Sequence, residues 1–533
     1  MRRIAMILSV GVLLAAAARG QQANKSPQSC QALVQLSLPD TTILKAEAVK
    51  AGKLTPPSDD KNPIYGTLPD FCRVTAESHP STDSQIKIEV WLPLNGWNGR
   101  FLGLGNGGFA GSIGYAGLAR AVKRGYASGA TDTGHSTQGA EWALGHPEKV
   151  ADYGYRGIHE MTLSAEAIVQ AFYGRAPNHR YFSSCSNGGR EALMEAQRFP
   201  EDYDGILAGA PANNWTHLLS GGLYAYRALY GDPASYIPAS KIPALSAAVL
   251  AQCNPGNAQG FLDDPRACHF DPAVLECKGE DTDKCLTAPQ VTALNALYAG
   301  AHAANGTLVW PGYPPGAEDG QGGWADWITG SAPGKSIGAG FVKGFFADMV
   351  YSKPDLDVSK LDLDAALKDA DAATGSIMNS ANPDLTGFRA HGGKLILYHG
   401  WNDPAISALG TVDYYNQVVA TAGTQQAAGF VRLFMAPGMQ HCGGGPGLAS
   451  FGQGLTDDKL QPDDSDHSIY RALESWVEKG TGPERIIAAK VVNEGGKSKV
   501  VLTRPLCAYP AAAKYTGSGD RSDAASYVCA AQP

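Results

Sequence analysis

Residues 86–92 read Ile-Lys-Ile-Glu-Val-Trp-Leu, an alternation of apolar and polar positions that marks a strand with one face toward a core. A polar turn at 95–98 follows, and "RFLGLGNGGF" then reads as a second strand running into glycines. Further short apolar runs end at Ala130, Ser183, Leu207 and Tyr398, and another spans 431–435. Between several of these, apolar residues recur at helical spacing, over 158–172 and 191–199. Strands alternating with helices predict an α/β protein whose mostly parallel sheet is covered on both faces.

The stretch 214–389 breaks this rhythm. It is rich in Gly, Pro and aromatics, and "WPGYPPGAEDGQGGWADW" is loop by composition. Four closely spaced cysteines and the tryptophans 310, 324 and 327 imply a packed insertion rather than a linker. With 533 residues, 44% of them hydrophobic, the chain is long enough for a large core. Its net charge of -8 is modest, and its lysines and arginines are scattered, which excludes the cationic surface that nucleic acids require.

The start, "MRRIAMILSVGVLLAAAARGQQ", has two arginines, an apolar stretch to Ala18, and small residues at 18 and 20. It reads as a signal peptide over 1–20 rather than a membrane anchor, since a spanning helix needs ~20 apolar residues. A secreted or periplasmic protein without further membrane contact is expected. Ten cysteines fit such an oxidising compartment, and neighbour pairing is natural for most of them. Metal binding by these cysteines is disfavoured, because no C-x-x-C occurs and the Cys/His spacings match no zinc pattern.

"RYFSSCSNGGREALMEAQRFP", residues 180–200, has the outline of a strand, a sharp turn and a helix, with Ser186 at the corner. A nucleophile elbow places its serine on such a turn among small neighbours, although here Ser184 stands where G-x-S-x-G has its first glycine. The partners of such a serine follow in the order acid, then histidine, each after a later strand. "GGKLILYHGWNDPAIS" supplies Asp403 and "FVRLFMAPGMQHC" supplies His441. In that arrangement His441 takes the Ser186 proton and Asp403 orients and stabilises the imidazole. Cys185 precedes the serine, Cys442 follows the histidine, and local pairing leaves these two over. A bond between them would clamp nucleophile to base across more than 250 residues.

"CSNGGR", "HGWNDP" and "HC" resemble the tannase and feruloyl esterase family, which includes mono-hydroxyethyl terephthalate hydrolases, and the likeness runs over nearly the whole mature chain. The resemblance implies Ser186, Asp403 and His441 as catalytic residues and the clamp Cys185–Cys442. It also implies the bonds Cys30–Cys72, Cys253–Cys268, Cys277–Cys285 and Cys507–Cys529. Its implied fold is an α/β-hydrolase core over 21–213 and 390–533 with a large inserted lid domain over 214–389. A secreted serine esterase acting on esters of aromatic acids is therefore expected, with feruloyl, galloyl and terephthalate monoesters as the candidate substrates.

Within the insertion Trp324, Trp327, Phe341, Phe345 and Phe346 are candidates for an aromatic pocket, and Lys343 or Lys353 for a substrate carboxylate. For any one of these aromatics, plain core is the favoured place. Family members often carry an acidic calcium loop in this region. Here "CNPGNAQGFLDDP" has Asn254, Asn257 and Gln259 at those places, so the calcium site is expected to be absent or weak, and the esterase reading calls for no cofactor.

Gly103, Gly105 and Gly108 in "GLGNGGFAG" satisfy G-x-G-x-x-G after a strand, which offers an oxidoreductase as one alternative. A non-catalytic binding protein with a hydrolase fold is the other. The hydrolase reading uses the same glycines as an oxyanion loop, with the backbone N–H of Gly108 acting beside that of Asn187. "DTG" at 132–134 lacks the second copy an aspartic protease needs. "HEMTL" at 159–163 lacks the second histidine of a zinc protease, since Leu163 stands there.

Overall fold

A computed structural model describes residues 27–531 apart from 58–59, 110, 256–258, 317 and 456–459; the signal peptide expected over 1–20 and Asn257 lie outside the described residues. Among the described residues nine strands form one sheet: β1 (Thr41–Val49), β2 (Phe71–Ser78), β3 (Ile86–Pro93), β4 (Arg100–Leu104), β5 (Ala127–Thr131), β6 (His179–Cys185), β7 (Gly205–Gly209), β8 (Lys394–Gly400) and β9 (Val431–Ala436). Their spatial order is β1-β2-β3-β5-β4-β6-β7-β8-β9. Pairings from β5 to β9 are parallel, while β1, β2, β3 and β5 pair antiparallel.

Neighbouring residues of the central strands serve two different cores, because side chains alternate across a sheet. Phe101, Phe182, Ile206 and Leu395 point to one face. Leu102, Tyr181, Leu207 and Ile396 point to the other. This is why those strands read as unbroken apolar runs. The first face is covered by α1 (Gly157–Tyr173) through Met161, Ala165 and Ile168, and by α2 (Asn187–Arg198) through Ala192, Leu193 and Ala196. Helix α2 begins at Asn187, four residues before the periodicity predicts, because Gly188 and Gly189 occupy its first turn. A Cβ on Gly189 would lie 2.3 Å from the Gly209 carbonyl oxygen, so the glycine serves close packing of helix on strand rather than a turn.

Between β7 and β8 the chain leaves the sheet. This segment carries α3 (Trp215–Tyr230), α4 (Ile337–Gly344) and a small hairpin, Gly300–His302 with Leu308–Pro311. Leu229, Leu245 and Trp324 belong to one of its cores. Trp215, Phe345 and Phe346 belong to another, which it shares with Phe109 and Tyr153. After β9, α5 (Ile469–Lys479) covers the second face with Leu473 and Trp476, and two antiparallel hairpins end the chain. Disulfides join Cys30–Cys72, Cys253–Cys268, Cys277–Cys285 and Cys507–Cys529. Among the described residues no helix is long and apolar enough to cross a membrane.

Candidate active site

Ser186 sits at the corner between β6 and α2 with φ 68° and ψ −125°, a conformation that costs a non-glycine residue about 1–3 kcal/mol. Backbone hydrogen bonds hold it there. The Ser186 N–H donates to Gly209 O at 3.0 Å, and its carbonyl accepts from the N–H groups of Arg190 and Ala212, each at 3.1 Å.

His441 Nε2 lies 2.9 Å from Ser186 Oγ, and its Nδ1 lies 2.8 Å from Asp403 Oδ2. Asp403 is buried and also accepts from the N–H groups of Ala405 (2.8 Å) and Ile406 (3.0 Å). A second histidine, His399, reaches the same Oδ2 at 3.1 Å. Its Nε2 also faces the Ile406 carbonyl at 3.1 Å, which can only accept, so Nε2 carries the proton and Nδ1 accepts from the Thr411 hydroxyl at 2.8 Å. Burial alone would raise the Asp403 pKa, but the charge of His441 and the hydrogen bonds from both histidines hold it well below the usual carboxylate range. An ionised Asp403 fixes the His441 tautomer with Nδ1 protonated, leaving Nε2 free to accept the serine proton.

Cys185 and Cys442 are bonded, with their Cα atoms 6.0 Å apart across 257 residues. The bond ties the residue before Ser186 to the residue after His441.

Gly108 and Asn187 line the cavity into which Ser186 opens. Sequence reasoning missed Glu191, which joins their two segments. One of its oxygens accepts the Asn106 N–H at 2.8 Å and the other accepts from Asn187 Nδ2 at 3.0 Å. Burial pushes the Glu191 carboxyl up to about 7, against the opposing effects of Arg190, Asn106 and Asn187. Arg190, fully buried, donates to Asn187 Oδ1 at 2.7 Å and to the Gly154 and Tyr153 carbonyls at 2.5 and 3.0 Å. The position of Glu191 four residues after Asn187, one helical turn on, was the available signal. His399, four before Asp403 in "HGWNDP", was equally visible and equally unread.

The glycines of 103–108 find their explanation here. A Cβ on Gly105 would lie 2.3 Å from the Glu191 carboxylate, and the N–H of Asn106, which a dinucleotide phosphate would need, is already given to that acid. A phosphate beside this carboxylate would meet charge repulsion rather than a cradle. Asp132 of "DTG" is a turn support, accepting from the N–H groups of Lys87 and Gly134.

Of the five aromatics expected at the pocket, Trp327 and Phe341 line it, with their rings stacked at 6.0 Å and Trp327 edge-on to His441 at 5.0 Å. Trp324, Phe345 and Phe346 are buried in the two cores of the inserted segment instead. The remaining wall is mostly apolar, with Leu218, Leu219, Val342 and Ile406 among its residues, and among the described residues no lysine, arginine, aspartate or glutamate lines it. Lys343 and Lys353 are exposed; the Lys343 ammonium lies near the Gly334 carbonyl and the outer Tyr226 ring.

The residues at the degenerate calcium loop do not fit a hard dication. Asn254 donates its amide N–H to Phe261 O at 2.8 Å, Gln259 Oε1 accepts from Arg504 at 2.6 Å, and the carboxylate of Asp263 is held by the same guanidinium. A fixed cation already neutralises the acid there.

With fold and site in hand, comparison with known proteins narrows the class. The chain is similar to the solved feruloyl esterase B from Aspergillus oryzae, with a TM-score of 0.85 and 28% identity over 94% of this chain and 99% of that one, which places it in the α/β-hydrolase fold. The family model for tannase and feruloyl esterase matches residues 72–530, and the chain belongs to that family. It is accordingly a carboxylic ester hydrolase. An uncharacterized esterase of Xanthomonas campestris is 41% identical over 99% of this chain and 94% of its own length. The mono(2-hydroxyethyl) terephthalate hydrolase of Piscinibacter sakaiensis is 35% identical over 87% of this chain and 86% of its own.

Proposed function

We propose that the protein hydrolyses esters of small, uncharged aromatic acids of the feruloyl and galloyl type through an acyl-serine intermediate on Ser186. The carrying observation is the unbroken relay of Ser186, His441 and Asp403 opening into an aromatic-walled cavity. His441 Nε2 takes the proton as Ser186 Oγ attacks the ester carbonyl, and the imidazolium is stabilised by the buried Asp403 carboxylate. Negative charge on the former carbonyl oxygen faces the backbone N–H groups of Asn187 and Gly108. Collapse expels the alcohol with the proton from His441, and water, deprotonated by the same imidazole, releases the acid.

The inserted segment 214–389 acts in this reading as a lid that supplies the acyl wall, since Tyr226, Trp327 and Phe341 belong to it and Gly108 and Ile406 to the sheet side. The neutral wall argues against terephthalate monoesters, whose free carboxylate would be buried without a partner at a cost of several kcal/mol. The start of the chain, read as a signal peptide, and the five disulfides support export. Ser186→Ala should abolish release of acid from methyl ferulate and methyl gallate; undiminished turnover would exclude the acyl-serine.

A further inference from the structure

Behind the catalytic helix lies a second cluster of polar side chains that the ester chemistry does not use. It is built from His159 on α1, Glu195 on α2 and Asp202 in the turn that follows α2. One donor atom from each lies within 4.8 Å of the other two, and His159 Nδ1 is 2.7 Å from Asp202 Oδ2. Glu195 is 1% exposed, and neither of its carboxylate oxygens has a hydrogen-bond partner. The polar group facing it is Asp202, another acceptor, and among the described residues neither carboxylate receives a lysine or arginine.

Two buried acceptors facing each other require something positive between them, since an uncompensated buried carboxylate costs several kcal/mol. A proton satisfies one oxygen pair. A dication satisfies both carboxylates and the imidazole nitrogen together. Tetrahedral Zn²⁺ with bonds near 2.0–2.2 Å needs donor atoms about 3.3 Å apart, so side-chain shifts of about 1 Å close the cluster around an ion. One imidazole and two carboxylates form a borderline donor set that suits Zn²⁺ better than Ca²⁺ or Mg²⁺. The ring of His159 is stacked on Phe199 at 3.8 Å and its side chain is 23% exposed, which orients it and leaves a path for the ion and a fourth, water ligand.

We propose that His159, Glu195 and Asp202 form a structural site for a small divalent transition cation, Zn²⁺ in type, that ties α1 to the C-terminal end of the nucleophile-bearing helix.

The test is calorimetric titration of the EDTA-treated, dialysed full chain with ZnCl₂ at pH 7.5, with melting temperature read alongside. Expected are a single bound Zn²⁺ and a raised Tm. Glu195→Gln and His159→Asn should each weaken binding by at least about tenfold and remove the Tm rise, while their metal-free forms still hydrolyse ester. Wild type without Zn²⁺ binding, with Glu195→Gln as stable or more stable, would overturn the site in favour of a proton shared by two acids. Zn²⁺ binding that survives both substitutions would overturn it by assigning the ion elsewhere.

Discussion

Glu191 has no place in the relay, yet it holds the two segments that line the cavity beside Ser186, one through Asn106 N–H and one through the Asn187 amide. Glu191→Gln keeps the shape but leaves one of those donors against an N–H instead of an acceptor, at a cost of about 1–3 kcal/mol. Steady-state kinetics on methyl ferulate should register this as a fall in kcat of about tenfold or more with KM little changed, because the oxyanion donors act on the transition state. The same residue gives a pH signature. Its folded pKa of about 7 lies above its ordinary value, so the unfolded state binds fewer protons through that interval and folded-state stability is lost as pH rises from about 4.5 to about 7. Glu191→Gln lacks this titration. Urea melts should therefore find the variant gaining on wild type by up to about 3 kcal/mol across that window and no further above it. Ser186, Asp403 and His441 were legible from order and setting alone; Glu191 and His399 were not, because a buried acid on a helix and a histidine on a strand carry no distinguishing pattern until their partners are folded against them.

At the scale of elements, the parallel strands were readable wherever both faces are buried, since their apolar runs leave little else to be. The antiparallel margin was less so. β1 presents the burial of an edge, with Lys45 and Glu47 outward, and its pairing with β2 depends on a contact no local pattern encodes. The sharpest joint between elements is the β6–α2 corner, where a left-handed serine is braced by Gly209 O and by the Cys185–Cys442 bond. Closing a loop of this length removes unfolded-state entropy worth about 5.5 kcal/mol in the chain-entropy model. The double replacement Cys185→Ala/Cys442→Ala should lower Tm by several degrees in calorimetry and reduce kcat, since His441 then rests on hydrogen bonds alone.

For the whole molecule, the segment between β7 and β8 supplies much of the wall of the cavity beside Ser186. That the strand–helix rhythm breaks here was legible from composition, but which of its aromatics face the cavity was not. Trp324, Phe345 and Phe346 are the same residue types as Trp327 and Phe341, and only packing separates core from wall. The uncharged wall can be rewritten at Tyr226, which lines the cavity from α3. Tyr226→Arg should raise kcat/KM for a terephthalate monoester relative to methyl ferulate, measured as the ratio of the two substrates in wild type and variant.

The bond between Cys185 and Cys442 also makes the intervening chain a closed ring that contains the whole insertion. A protease that nicks an exposed loop of that ring opens it without separating the serine from the histidine. Nicked protein should migrate as one species on a non-reducing gel, split only when reduced, and keep its active centre as two chains sharing a single covalent seam.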